Sequence, residues 1–234
     1  MKIGVIGLES FSNGKENLVD ARLETLKQMF NSAKKVYIQV EIITDTDKLK
    51  EADGIIASEK ARLDIIVGDI EFVETRLERS QIDVEKKMLL RFKEKLEKEE
   101  MLTGMPLSEE EQKLVSAYPL LSIKPVVIVK DEDAADKAKV IFSAYYSLGY
   151  ISYFTAGDKD SHGWSIKKGM NAWEASGAIH SDIQKGFIRA EVLGYQDLID
   201  AGNFNQARSN NKVRLENKEY IVQDGDLMTF RFNK

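Results

Sequence analysis

Apolar residues in the first half of the chain form short runs that are separated by amphipathic stretches. The runs are rich in isoleucine and valine, which is typical of strands buried on both faces of a sheet. They lie at 2–7, 35–43, 54–57 and 125–129. Between the first two runs, Leu23, Leu26 and Phe30 recur with the spacing of one helix face. Strands that alternate with helices predict a parallel sheet built from crossover connections.

A longer helical pattern lies between the last two of these runs. Its first stripe has the three- and four-residue spacing of a coiled-coil seam, and comprises Leu63, Ile66, Ile70, Val73 and Leu77. After a turn at 80–83 with Asp83 as a helix cap, a second stripe comprises Met88, Leu89, Phe92 and Leu96. Ser108 and Glu111 then form a capping box for a short helix. The pattern predicts an antiparallel helical hairpin over about 60–117, inserted between the strands near Ile55 and Val127.

The C-terminal third has the pattern of a separate small domain. Residues 227–232 alternate apolar and polar side chains, which predicts a closing strand after a turn at Asp224-Gly225-Asp226. Asn171 and Glu174 predict a capped helix that stops near Gly177. Strands that flank one short helix favour a β-grasp, ubiquitin-like fold. We expect this domain to begin at about residue 149, with Trp164 and Trp173 as anchors of its core.

Composition limits the classes of function. The chain has no cysteine, so disulfides and thiolate metal sites are excluded, and a reducing, cytoplasmic compartment is expected. No apolar run has the length of a membrane span or the form of a leader peptide. The net charge is −5, from 34 basic and 39 acidic side chains, so a polyanion would have to bind at a local basic surface.

Several strings of residues resemble one known family. The C-terminal strings ISYFTAG at 151–157, GWSIKKG at 163–169, HSDIQKGFIRAEV at 180–192 and VQDGDLMTFRFNK at 222–234 resemble the C-terminal TGS-type domain of the YchF (Obg-like) ATPase family. Shorter matches precede them in the same order, among them KIGVIGL, RLETL, KKVYIQVE, ADGIIA, FVETRLER, LSEEEQKL and KPVVIV. The resemblance implies an α/β lobe at 1–148, with a reduced P-loop-like parallel sheet and the inserted hairpin, and a TGS-like β-grasp domain at 149–234.

The phosphate-binding part of that family is altered in this chain. A P-loop reads G-x-x-x-x-G-K-[ST], and its amides, lysine and hydroxyl hold phosphate and Mg²⁺. Here 7–17 reads GLESFSNGKEN, so the spacing from Gly7 to Gly14 is longer and Glu16 replaces the hydroxyl. If a nucleotide binds, Gly7, Gly14 and Lys15 would contact its phosphates. We favour the alternative interpretation, in which Lys15 is a surface lysine in a turn.

Two further parts of the nucleotide site also depart from the pattern. The acidic residue that faces the metal is followed by glycine in the family, whereas this chain has Asp45 and Asp47 in a turn without glycine. The base-reading segment is replaced by 130–133, which reads KDED. Phosphoryl transfer needs positioning and metal electrostatics together. We therefore predict no catalytic residues and no metal ligands, and we interpret His162, in a polar loop, and His180 as local caps.

Two classes of function follow from the resemblance. The first is a non-catalytic binding or regulatory protein, associated with the ribosome, RNA or a protein partner, with no cofactor and with no membrane or DNA partner. The residues proposed to contact that partner are Lys167, Lys168, Lys185, Arg189 and Arg214, and the first four are expected to form one local cluster. The second is a nucleotide hydrolase or switch that binds ATP or GTP with Mg²⁺ through an unconventional phosphate loop. We prefer the first class, and expect a binding protein rather than an enzyme.

Overall fold

The short β-branched runs form strands, and the stretches with helical spacing form helices, in a computed structural model that describes residues 1–130 and 134–233. The strands are β1 (Lys2–Ile6), β2 (Gly14–Asn17), β3 (Lys34–Val36), β4 (Gln39–Ile43), β5 (Gly54–Ser58), β6 (Val126–Val129), β7 (Tyr150–Ala156), β8 (Asp160–Lys167), β9 (Phe187–Leu193), β10 (Arg214–Glu216) and β11 (Leu227–Phe232). The helices are α1 (Ala21–Met29), α2 (Glu59–Arg79), α3 (Asp83–Glu97), α4 (Glu109–Val115), α5 (Lys137–Ser147), α6 (Ala172–Ile179), α7 (Ser181–Lys185), α8 (Tyr195–Ala201) and α9 (Phe204–Ser209), with a 3₁₀ turn at Thr46–Glu51.

The chain divides into two units. The first unit contains 1–16 and 40–144, and the second contains 17–39 and 145–234. This division differs from the predicted boundary at 148 and 149, because the segment 17–39 belongs to the second unit rather than to the N-terminal lobe.

The first unit contains the predicted parallel sheet. Its strand order is β2-β4-β1-β5-β6, and β1 pairs in parallel with both β4 and β5, while β5 pairs in parallel with β6. The run at 35–43, predicted as one strand of this sheet, is divided: Gln39–Ile43 forms β4 here, whereas Lys34–Val36 forms β3 of the other sheet. The central strands carry fully buried isoleucines, among them Ile3, Ile55 and Ile56. Burial of β-branched side chains on both faces of a central strand is what stabilises such a sheet.

The predicted helical hairpin lies between β5 and β6. Met88, Leu89, Phe92 and Leu96 of α3 have no exposed surface, and they pack with Val73 of α2 in one apolar cluster. The capping box at the start of α4 is also confirmed, since the side chains of its two members reach each other's backbone amides.

Two details of the hairpin differ from the prediction. Leu63 is 45% exposed, so it lies outside the packed seam. Ile82 rather than Asp83 precedes the first turn of α3, and no side chain caps that turn.

The second unit contains the predicted β-grasp sheet. Its strand order is β10-β9-β11-β7-β8-β3, in which β7 and β8 are antiparallel, β11 is antiparallel to β9, and β11 is parallel to β7. Helix α6 begins with the predicted capping box of Asn171 and Glu174. Its alanines pack on one face of the sheet against Tyr153 and Met228. We call this side of the sheet the α6 face.

Two aromatic predictions for this unit were wrong. Trp173 is 43% exposed and is no core anchor, whereas Trp164 is partly buried and packs against the α6-face cluster. His162 lies within β8 rather than in a loop, and its ring stacks on Trp164 with centroids 3.7 Å apart.

The opposite side of the same sheet explains why 17–39 belongs to the second unit. Leu23 and Leu26 of α1 pack on Phe154 and Leu193, and β3 extends the sheet by pairing in parallel with β8. Arg22 donates to Asp20, to Asp224 and to the Tyr146 hydroxyl. An uncovered apolar sheet face is unfavourable in water, and α1 with α8 and α9 covers it. We call this side the α1 face.

None of the helices in the described part of the chain is both long and apolar enough to cross a membrane.

Candidate functional site

The carboxyl ends of the first unit's strands are where an open parallel sheet holds its ligands. Gly7 follows β1 there with φ +72°, a backbone conformation that favours glycine. A Cβ atom on Gly7 would lie 2.4 Å from the Ser58 Oγ and 2.9 Å from the Ala61 Cβ. Ser58 caps α2 by accepting a bond from the Ala61 amide. The space beside Gly7 is therefore filled by the first turn of α2.

Gly14 and Lys15 lie in β2, at the edge of the same sheet. In a P-loop, the amides after the first strand point at phosphate and lead directly into a helix N-terminus. Here β1 is followed by 7–13 and then by another strand. The three residues predicted to contact phosphate are thus not brought together in a loop that opens a helix.

Glu16, at the position of the family's hydroxyl, is also accounted for within the first unit. Lys137 Nζ lies 2.5 Å from a Glu16 carboxylate oxygen, and the same ammonium group lies over the Phe11 ring. A carboxylate in this position repels phosphate rather than binding it. The residues present at this end of the sheet do not fit the nucleotide and Mg²⁺ that the family pattern implies.

The turn at 45–47, which stands where the family has its metal-facing acidic residue, has a structural role. Asp45 caps the 3₁₀ turn by accepting a bond of 3.2 Å from the Asp47 amide, and its carboxylate lies 3.4 Å from Lys48 Nζ. In residues 1–130 and 134–233, no group of three or more acidic or histidine side chains is placed to hold a metal ion. Of the base-reading segment, only Lys130 is described, because 131–133 lies outside the described residues.

The predicted partner-binding lysines of β8 lie at the end of the second unit's sheet where β7 begins. Lys167 is the last residue of β8 and pairs with Tyr150, over whose ring its ammonium group lies 6.0 Å from the centroid. Lys168 lines a cavity of about 570 Å³ together with Tyr146 and Tyr150.

The other three predicted residues lie elsewhere in the second unit. Lys185 ends α7, and Arg189 lies on β9 directly opposite Arg231 of β11. Arg214 of β10 pairs with Glu216 at 3.2 Å and donates to the Tyr220 hydroxyl, so its guanidinium is already engaged.

Strand register separates these cations into two groups. Tyr150, the partner of Lys167, lies four residues before Phe154 on β7, and Phe154 pairs with Leu227. Arg189 pairs with Arg231, four residues beyond Leu227 on the parallel strand β11. Eight residues of strand correspond to about 26 Å. The expectation of one local cluster around Lys167, Lys168, Lys185 and Arg189 was wrong, because these residues lie at opposite ends of the sheet.

Two cations that the sequence pattern did not single out lie near Arg189. Arg208 of α9 and Arg231 of β11 both pair with Glu191 of β9, at 2.8 Å in the case of Arg208. The bonds from Arg231 and then the charges of both arginines hold the pKa of Glu191 below its ordinary value. The alternation of side chains along β11 indicated which face of the sheet carries Arg231. Its neighbour on β9 follows only from the register in which β9 pairs with β11.

His180 has the predicted role of a cap. Its Nδ1 accepts a bond of 3.1 Å from the Asp182 amide at the start of α7.

Known proteins resemble this chain over its C-terminal region and, more weakly, over most of its length. The family YchF-GTPase_C, described as a protein of unknown function (DUF933), matches residues 150–233. The ribosome-binding ATPase YchF of Bacillus subtilis is 32% identical over 248 residues, which cover 78% of this chain and 68% of that protein. Its counterpart in Haemophilus influenzae is 50% identical over 95 residues, or 41% of this chain and 26% of that protein.

Similar relations hold for a eukaryotic relative and for solved structures. Obg-like ATPase 1 of Danio rerio is 42% identical over 95 residues, which cover 41% of this chain and 24% of that protein. The YchF GTPase of Schizosaccharomyces pombe has a similar fold, with a TM-score of 0.72 at 18% identity over 99% of this chain and 97% of that chain. A GTP-binding protein from Pyrococcus horikoshii OT3 aligns with a TM-score of 0.53 at 16% identity, over the whole of both chains.

Proposed function

Since this chain belongs to the YchF family of Obg-like ATPases, we propose that it is a non-catalytic member that binds ribosomes through its C-terminal β-grasp domain and its helical hairpin. One observation carries the proposal. The first unit passes from β1 to β2 without a phosphate loop and helix, whereas the second unit has all the strands and the helix of a β-grasp fold.

The chemistry of phosphoryl transfer supports the non-catalytic part of the proposal. Catalysis of this reaction consists almost entirely of positioning the phosphates and stabilising their charge. At the carboxyl ends of the first sheet, Gly7 is packed against Ser58, Glu16 is paired with Lys137, and Asp45 caps a turn. Each of these three groups is engaged by a neighbour. We expect no cofactor.

The relatives support the ribosomal part of the proposal. The Bacillus subtilis and Haemophilus influenzae relatives carry the name ribosome-binding ATPase, and the family model matches the C-terminal region of this chain. The proposal assigns the TGS-type role to this β-grasp domain and a cytoplasmic location to the protein. It also assigns ribosome or RNA contacts to a local group of exposed cations on the domain, rather than to the chain's overall charge of −5.

A direct test of the non-catalytic part uses the full chain with ATP and GTP. Binding of each labelled nucleotide is titrated with Mg²⁺, and phosphate release is measured for the wild type and for Lys15→Ala. We expect turnover at background for both proteins, because Lys15 lies on an edge strand away from Gly7. Turnover that depends on Mg²⁺ and is lost in Lys15→Ala would establish the second class of function, a nucleotide hydrolase with an unconventional phosphate loop.

The ribosomal part is tested by sedimentation of the full chain with Bacillus subtilis ribosomes at low and moderate salt. We expect association at low salt that weakens as salt rises, because contacts with RNA phosphates release counterions. Association that does not change with salt would indicate a protein partner on the ribosome, and absence of association at low salt would contradict the proposal.

A further inference from the structure

One end of the second unit's sheet carries positive charge that the described residues, 1–130 and 134–233, neutralise only in part. On the α1 face, Arg189, Arg231 and Arg208 surround the single carboxylate of Glu191. We call these three arginines the arginine patch. All three are exposed, and Thr229, opposite Glu191 on β11, is exposed as well.

The pairing within the patch is unfavourable for folding. The register of β9 and β11 places Arg189 directly opposite Arg231, and like charges in this position destabilise a sheet. Glu191 neutralises only part of the charge, because Arg208 and Arg231 both use its two oxygens. Within residues 1–130 and 134–233, Arg189 pairs with no carboxylate. A charge that costs stability and has no partner in its own fold indicates a ligand.

Guanidinium groups are well suited to bind phosphate. Their planar fork donates two parallel bonds to phosphate oxygens, and they are more weakly hydrated than an ammonium group. Protein interfaces, in contrast, have an apolar centre. Two large exposed apolar side chains of the described residues lie near the patch: Leu215 of β10, opposite Glu191, and Ile188, next to Arg189 where the pairing of β9 with β11 is irregular. The three exposed arginines outnumber them. The surroundings therefore favour a phosphate backbone over an acidic protein.

We propose that the arginine patch is the site at which the β-grasp domain binds the phosphate backbone of RNA. This inference rests on the proposed function and deepens it, since it selects one end of the sheet over the other. Lys167 and Lys168, about 26 Å away along the strands, lie outside this site. Arg214 also lies outside it, because it alternates to the α6 face, where it contacts Tyr220.

The patch predicts opposite effects of one substitution on stability and on binding. Arg189→Thr removes the repulsion opposite Arg231 and introduces a residue that is favoured in strands. We expect the urea midpoint of unfolding to stay the same or rise. Affinity for RNA should fall about tenfold, and the slope of log affinity against log salt should fall by about one. If the role of Arg189 were purely structural, its replacement would not lower the affinity for RNA while the stability of the fold stayed the same or rose.

Two probes and a matched control distinguish failure of this inference from failure of the proposed function. The full-length wild type, Arg189→Thr and Lys168→Thr are compared with Bacillus subtilis ribosomes by sedimentation and with labelled polyuridylate by fluorescence anisotropy over a range of salt. Both variants remove one exposed cation from the same domain. We expect Arg189→Thr to weaken binding to both probes and Lys168→Thr to match the wild type.

Each outcome has a defined meaning. Wild-type binding that Arg189→Thr leaves unchanged overturns the arginine patch but leaves the proposed function standing. Binding of polyuridylate that depends on Arg189, without association with ribosomes, overturns the proposed ribosomal function but supports the patch. Failure of the wild type to bind either probe at low salt overturns both. Ribosome association that depends on neither salt nor Arg189 assigns the contact to a ribosomal protein and overturns the patch.

Discussion

The two units differ in how their charged groups are satisfied. In the first unit, Glu16 pairs with Lys137 and Asp45 caps a turn, so these two carboxylates have partners in their own fold. At one end of the second unit's sheet, Arg189 faces another arginine and has no carboxylate partner among the described residues. Both units retain the sheet of their fold class. Unsatisfied charge, rather than the strands that carry it, is what distinguishes the proposed binding site from the scaffold.

The most strongly satisfied charge in the first unit lies at the turn of the helical hairpin. Glu85 is fully buried and accepts bonds from Arg76 at 2.7 Å, from Ser80 at 2.5 Å and from the Tyr118 hydroxyl. Burial by itself would raise the pKa of this carboxyl group, but the hydrogen bonds outweigh burial and lower the pKa to about 2. Such a network fixes the geometry of the turn and offers nothing to a ligand.

Among the tests of this comparison, replacement of Glu85 has the largest expected effect on stability. The ordinary pKa of this group is 4.5, so its carboxylate stabilises the fold above pH 4.5 and loses that contribution as the pH falls toward 2. We expect Glu85→Gln to lower the free energy of unfolding at pH 7 by about 3 kcal/mol. At pH 2 the variant should approach the wild type. Urea denaturation from pH 7 to pH 2 measures both values.

Glu94→Gln is the matched control, because Glu94 lies on the same helix and pairs with Lys98 in solvent. We expect a much smaller loss at pH 7, since exposed pairs contribute little. A similar loss of unfolding free energy in the two variants would mean that the buried ion pair of Glu85 stabilises the hairpin no more than the exposed pair of Glu94 does. The contrast between satisfied and unsatisfied units would then fail.

The next test concerns Gly7, which the resemblance assigned to phosphate and the structure assigns to packing. Gly7→Ala should cost about 1–3 kcal/mol, because φ is +72° and the new Cβ would meet Ser58. Gly68→Ala is the control in the same unit: it lies in α2 with no heavy atom within 4 Å of the new Cβ, and should stabilise that helix by up to about 1 kcal/mol. Thermal unfolding of the two variants measures the difference. An unchanged Gly7→Ala would reopen a role for Gly7 in binding.

The sequence predicted those parts of the molecule that depend on local periodicity. The parallel strands, the hairpin core around Phe92, and the capping boxes at Ser108 and Asn171 all follow from spacing within a short segment. Trp173 was misassigned because size alone does not decide whether a side chain faces the core or solvent.

The features that sequence reasoning missed depend on pairing between distant segments. The transfer of 17–39 to the second unit requires the pairing of β3 with β8, and no local pattern encodes that partner. The separation of Lys167 from Arg189 likewise requires the register of β7, β9 and β11. Arg231 was visible as one member of an alternating strand, but its repulsion with Arg189 depends on a cross-strand pairing.

The test with the smallest expected effect compares a helix capping box in each of the two units. Ser108 caps α4 in the first unit and Asn171 caps α6 in the second, and in each case a glutamate three residues later completes the box. Replacement of either cap by alanine should cost about 1 kcal/mol, because one amide in the first turn loses its acceptor. Hydrogen exchange of the helix amides measures the effect, with Ser116→Ala, just after α4, as a control away from either N-terminus.

We expect loss of protection in α4 alone for Ser108→Ala and in α6 alone for Asn171→Ala. Equal losses of stability would mean that the capping box stabilises its helix to the same extent in the two units. The difference between the units would then lie only in their unsatisfied charge, as the packed Gly7 and the unpaired Arg189 indicate. A cost at Asn171 far below that at Ser108 would instead mean that the second unit is less sensitive to loss of a local contact. In that case, the repulsion between Arg189 and Arg231 would no longer by itself indicate a ligand, because the fold would tolerate other unfavourable contacts as easily.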